Sequence, residues 1–139
     1  MSHSTSMSDD EFLMAFIECR LPASAFDHRG HVRIAWLLLQ RYPLEPAIEQ
    51  ICGGIARFAA HLGAHDKYNR TMSEAPVRLM AQGGTHATTF EEFVNANAQL
   101  LSNAGGLLAR HYSPERLTSA AARASFLPPD RLPLPSCQA

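Results

Sequence analysis

Two histidines stand three residues apart in a stretch that reads as the first turn of a helix. Side chains at this spacing share one helix face, and both His28 and His31 border an apolar stripe that includes Ala35. Paired imidazoles there suit one shared transition metal (zinc, iron or copper) or an acid–base pair. A purely structural role stays open, because no HExxH or ExxH motif supplies a third ligand. Candidates for that ligand are scattered along the chain: His61, His65, His86, His111, Asp27, Glu74 and Asp130.

A second polar group enters another predicted helix, whose first backbone N–H groups can bind an anion. We predict that Tyr68 of this group acts with His28 and His31 as a catalytic residue. We also predict that its neighbours hold a small polar or anionic substrate. These neighbours are Lys67, Asn69, Arg70, Thr71 and Glu74. The alternative interpretation is a solvated loop followed by a capping box of Thr71 and Glu74.

A third candidate, Arg123, lies one helical turn after Ser119 on the last predicted helix. Its guanidinium could bind an anionic substrate at the same site. The favoured alternative is an ion pair between Arg123 and Asp130 that holds the C-terminal tail against the helices.

The elements that must position these residues are helices, because apolar residues recur at helical spacing and no stretch alternates as a strand would. The predicted helices begin near Ser8, Asp27, Pro46, Thr71, Thr89 and Ser113. We therefore predict an all-α fold, a compact single-domain bundle of five to six helices. Gly53 and Gly54 interrupt the third helix, and close packing of another helix would explain them.

The domain organisation follows from composition along the chain. Residues 1–7 are polar and predict a disordered leader, and residues 8–126 form the helical domain. Residues 127–139 contain four prolines and predict an extended tail packed on or near that domain.

Bulk composition excludes several classes of function. The chain has 139 residues and a net charge of -1, with no basic run, so we predict neither a nucleic-acid nor a membrane partner. Its three cysteines are far apart and form no CxxC pair, which argues against a disulfide scaffold. No apolar segment suggests a signal peptide or a membrane helix of about 20 residues. We predict a cytoplasmic location.

Four short motifs occur in a fixed order over about residues 26–135. They are His28-x-x-His31, Lys67-Tyr68-Asn69-x-Thr71, Ser119-x-x-Ala122-Arg123 and Pro129-Asp130. This order and spacing resembles a family of small uncharacterised bacterial all-helical proteins with the pattern HxxH, KYHxT, SxxAR and PD. The chain departs from the pattern at Asn69, where a histidine is usual, and this weakens a metal-binding interpretation. The resemblance implies no activity.

Two hypotheses from different classes follow. The first is a small enzyme or small-molecule-binding protein with its site between the starts of the second and fourth helices. The second is a protein-interaction module or a subunit of a homo-oligomer, such as a homodimer, in which the histidines are structural. The second predicts an exposed apolar patch and no pocket near His28.

Overall fold

A computed structural model describes residues 8–83 and 89–134, without the side chains of residues 65, 82 and 83. The predicted leader (residues 1–7) and the last five residues of the predicted tail lie outside these ranges. Within them the chain is all-α and has no strand, which confirms the predicted fold class. The five longer helices are α1 (Asp9–Ile17), α2 (His28–Arg41), α3 (Leu44–His61), α4 (Arg70–Gly83) and α5 (Phe90–Ala96). Shorter ones are α6 (Gln99–Ser102), α7 (Ala104–Ala109), α8 (Pro114–Leu117) and α9 (Ala120–Ala124), with 3-10 turns at Ala23–Ala25 and His65–Lys67.

Local capping starts several of these helices as predicted. Ser8 and Glu11 form a reciprocal capping box at α1, and Thr89 and Glu92 form another at α5. Asp27 caps α2, where its carboxylate accepts a 2.8 Å hydrogen bond from the backbone N–H three residues later. These bonds join near neighbours in the chain, so residue type alone predicts them.

The start of α4 differs from the prediction. Asn69 is the capping residue, since its side-chain oxygen accepts the N–H of Met72 at 2.9 Å. The predicted capping box of Thr71 and Glu74 is therefore wrong, and both residues lie inside the helix. Pro76 also lies inside α4, where its missing N–H cannot bond the carbonyl of Met72.

The predicted last helix is divided in two. Ser113 and Pro114 start α8 as expected, but this helix ends at Leu117. Ser119 then caps α9, because its hydroxyl accepts the backbone N–H of Ala122 at 3.1 Å. The new cap turns the chain, so one predicted helix becomes two short ones.

Helix α3 lies at the centre of the fold and packs against α1, α2 and α4. Its buried residues Ile48, Ile51 and Phe58 belong to the main hydrophobic core. Phe58 stacks with Phe16 of α1 and Phe26 of the segment before α2, with ring centroids 6.1 and 4.2 Å apart. This aromatic cluster places the start of α2 beside the C-terminal half of α3.

The extended segment from residue 125 onward packs on a second, smaller core around Tyr112. The Tyr112 hydroxyl donates a 2.7 Å hydrogen bond to the carbonyl of Leu127. Asp130 accepts hydrogen bonds from the backbone and hydroxyl of Ser113 at 2.8 and 2.6 Å. Polar contacts thus attach this proline-rich segment to the helices. None of the helices described is long and apolar enough to cross a membrane.

The glycine pair in α3 behaves asymmetrically. A Cβ on Gly54 would lie 2.5 Å from the ring of Phe16, so Gly54 allows α1 and α3 to approach closely. A Cβ on Gly53 would meet nothing within 4 Å. Close helix packing therefore explains one glycine and leaves the other as an exposed residue of low helix propensity.

We predict that Gly54→Ala lowers the free energy of unfolding by about 1–3 kcal/mol, because the buried Phe16 ring must shift. The matched variant Gly53→Ala should raise it by about 1 kcal/mol, because alanine is the better helix former at an open position. Urea denaturation measures both changes. Equal effects of the two substitutions would contradict the packing of α1 on Gly54.

Candidate functional site

A cavity of about 340 Å³ lies between the start of α2, the end of α3 and the start of α4, and we call it the His31 cavity. Its apolar lining consists of Phe26, Ile55, Ala59, Leu62, Ala64 and Met72. Its polar lining consists of His31, Lys67, Tyr68, Asn69 and Ser73. Four of the residues proposed from the sequence as site residues thus meet in one cavity. The apolar walls give no signal in the sequence, because apolar residues such as Ile55 and Leu62 on or just after α3 have the same character as core residues.

His31 forms one wall of the cavity and is half-buried. Its ring lies against Phe26, with the centroids 4.1 Å apart. Gly30 lets the first turn of α2 lie close to the preceding segment, because a Cβ there would lie 2.2 Å from the carbonyl oxygen of Ala25. Burial lowers the pKa of His31 below its ordinary value of 6.5, the nearby His28 lowers it further, and Asp27 opposes both effects. The imidazole is therefore neutral at pH 7 and can accept a proton or a hydrogen bond.

Tyr68 also lines the cavity. Burial, followed by the neighbouring Cys52, raises the pKa of Tyr68 to about 12. Burial likewise raises the pKa of the Cys52 thiol to about 11. The Cys52 thiol and the Ser73 hydroxyl lie near the tyrosine hydroxyl and influence its pKa. Tyr68 therefore stays protonated at neutral pH and can donate a hydrogen bond, whereas Cys52 is a poor nucleophile.

The mouth of the cavity is apolar. Leu62 and Met72, which line the cavity, are 46% and 45% exposed. Lys67 is also exposed at this rim. Asn69 supports the cavity structurally, since its amide nitrogen donates a 2.7 Å hydrogen bond to the carbonyl of Leu117 in addition to capping α4.

The two histidines of the predicted metal site do not converge. His28 Nε2 lies 2.6 Å from the carbonyl oxygen of Leu100 on α6, so its ring is engaged away from the His31 cavity. Among the residues described, no group of three or more His, Cys, Asp or Glu side chains could hold a metal ion. His86 and the side chain of His65 lie outside the described part of the chain.

Arg70 and Glu74 are engaged in ion pairs. The carboxylate of Glu74 is buried at 3% exposure and bonds Arg70 at 2.9 Å and Arg78 at 2.8 Å. These arginines also reach α3, where Arg70 pairs with Glu49 at 3.0 Å and Arg78 with Glu45 at 3.1 Å. A buried carboxylate needs such partners, so this network joins α4 to α3.

Thr71 is fully buried, and its side chain binds the backbone of the C-terminal segment. Its hydroxyl donates to the carbonyl of Ser125 at 3.0 Å and accepts the N–H of Leu127 at 3.1 Å. Both hydrogen-bonding capacities of the hydroxyl are thus used within the fold. The side chain is not part of the His31 cavity.

Arg123 does not pair with Asp130, so the favoured interpretation of this residue is wrong. Ser113 binds the Asp130 carboxylate instead. Arg123 lines a second, shallower cavity of about 490 Å³, which we call the Arg123 cavity, together with Tyr68, Thr118, Ala120 and Ala124. Within residues 8–83 and 89–134, the Arg123 guanidinium has no hydrogen-bond or ion-pair partner.

Comparisons of the chain with family models, with curated proteins and with solved structures gave no match. The resemblance to a helical bacterial family therefore stays a prediction. What the two cavities can bind follows from their own geometry and charge.

We predict that Thr71→Val lowers the free energy of unfolding by about 1–3 kcal/mol, because it leaves the Ser125 carbonyl and the Leu127 N–H without their partner. The matched variant is Thr118→Val, whose exposed hydroxyl bonds only the carbonyl of Pro114 at 2.9 Å. It should change stability by less than about 0.5 kcal/mol. Denaturant titration compares the two, and equal losses would contradict the role of Thr71 as an anchor of the C-terminal segment.

A pH dependence of stability follows from the lowered pKa of His31. Because the unfolded chain binds a proton at His31 more readily, the free energy of unfolding falls as pH drops through 6.5, and this contribution levels off below the folded pKa. His31→Phe should remove the contribution, so the variant loses less stability than the parent between about pH 7 and pH 5. The other histidines are common to both proteins. Parallel pH profiles would contradict burial of a neutral His31.

Proposed function

We propose that the protein binds a small molecule with an apolar body in the His31 cavity. The observation that carries this proposal is the meeting of His31 and Tyr68 in one cavity with apolar walls and an open apolar rim. Small-molecule sites have this composition, a mostly apolar lining with a few polar groups that set orientation. The volume of about 340 Å³ also lies in the usual range of about 300–1,000 Å³ for such sites.

The polar groups define how a ligand is held. The Tyr68 hydroxyl donates a hydrogen bond to an acceptor on the ligand, and the neutral His31 accepts one from a donor. If the site also catalyses a reaction, His31 is its general base, because among the described lining residues its neutral imidazole is the side chain that can take up a proton near pH 7. Metal ligation is not part of the proposal, since the described lining residues include one histidine, His31.

The test uses octanol, a neutral probe with an apolar chain and one hydroxyl. Isothermal titration calorimetry should show saturable binding to the parent protein. Ala59→Leu fills the cavity from α3 and should weaken binding at least about tenfold. Ala60→Leu is the matched control, because Ala60 is exposed on the same helix and does not line the cavity. The proposal would be wrong if octanol showed no saturable binding, or if Ala59→Leu and Ala60→Leu bound octanol with equal affinity.

A second candidate function is self-association through the rim. The exposure of Leu62 and Met72 favours it, because two exposed apolar side chains at the rim of one cavity offer a surface that a second copy of the chain can cover. Sedimentation equilibrium of the parent and of Leu62→Lys distinguishes the two functions. A dimer that dissociates in the variant would favour a homodimer interface, whereas a monomer in both cases would favour the open cavity.

A further inference from the structure

Tyr68 is the wall that two cavities share. It is a lining residue of both the His31 cavity and the Arg123 cavity. A ligand that fills the His31 cavity and contacts Tyr68 therefore lies next to a residue that also lines the Arg123 cavity. A second group on such a ligand can extend past Tyr68 toward the residues of the Arg123 cavity.

The Arg123 cavity contains one arginine, Arg123, among small side chains. Ala120 and Ala124 flank Arg123 on α9 and leave the space around its guanidinium open. Asp130, the carboxylate nearest in sequence, is occupied by Ser113. No ion pair within the described ranges therefore competes for this guanidinium.

The neighbouring cations are less suited to a ligand at this end of the site. Arg70 is held between Glu49 and Glu74, so its charge is already balanced. Lys67 lies at the rim, where its ammonium is a compact and strongly hydrated charge. A guanidinium presents a planar set of N–H donors that matches two oxygens of a carboxylate or phosphate.

We propose that the ligand of the His31 cavity carries an oxyanion, a carboxylate or a phosphate, that Arg123 binds in the Arg123 cavity beyond Tyr68. The proposal rests on the function proposed above and names the class of ligand. Such a molecule has an apolar body, an acceptor beside the Tyr68 hydroxyl and one negative head group.

The test compares three probes with one apolar chain and different head groups, namely octanoate, octyl phosphate and neutral octanol. Calorimetry at low ionic strength and about pH 8 keeps His31 neutral. The variants are Arg123→Gln, Lys67→Gln and Arg57→Gln. Arg57 is an exposed arginine of α3 that lines neither cavity, so it controls for loss of one positive charge.

We expect at least one anionic probe to bind the parent about threefold to tenfold more tightly than octanol, as an exposed charge pair allows. Arg123→Gln should remove this advantage and leave octanol affinity unchanged, whereas the other two variants should keep it. Added salt should reduce the advantage. Whichever of octanoate and octyl phosphate shows the larger gain in affinity over octanol identifies the head group as a carboxylate or a phosphate.

Two results would overturn the proposal. The first is octanol binding with no advantage for either anion, and the second is an advantage that disappears in Lys67→Gln or Arg57→Gln but survives in Arg123→Gln. Failure of octanol itself to bind would instead overturn the function proposed for the His31 cavity. The two failures are therefore distinguishable in one set of titrations.

Discussion

Thr71 and Glu74 are polar side chains buried on α4, and buried polar groups are stable only when they find partners. Glu74 takes Arg70 and Arg78 as partners, and these arginines also bind glutamates of α3. Thr71 takes the backbone of residues 125 and 127. One helix therefore attaches both the central α3 and the C-terminal segment, and the positions of both cavities depend on these partnerships.

The same partnerships decide which polar residues are free to bind a ligand. The ion pairs occupy Arg70 and Glu74, the N-cap occupies Asn69, and Thr71 is buried. The polar groups that remain are the neutral imidazole of His31, the protonated phenol of Tyr68 and the cations of Lys67 and Arg123. These two cations have no partners among the described residues. This set is suited to orienting a molecule more than to ligating a metal, and it motivates the proposed binding function.

Much of the architecture could be predicted, since apolar periodicity predicts helices and short-range caps predict where they begin. The sequence predicted that His31 and the loop before α4 lie close together, and they line one cavity. Its apolar walls were not predictable, because Phe58 of α3 is fully buried whereas Leu62, four residues later at the C-cap, is 46% exposed.

Residue types alone determined the helix starts at Ser8, Asp27 and Thr89, because a cap joins residues three apart and needs no distant partner. Where two residues could fill the same role, the tertiary structure decided which of them does so. Both Asn69 and Thr71 are residue types that can cap a helix. The Thr71 hydroxyl instead binds the distant backbone carbonyl of Ser125, and Asn69 caps α4. Likewise Asp130 could bind Arg123 or Ser113. Such choices depend on which surfaces are buried together, and burial is a property of the whole packed chain.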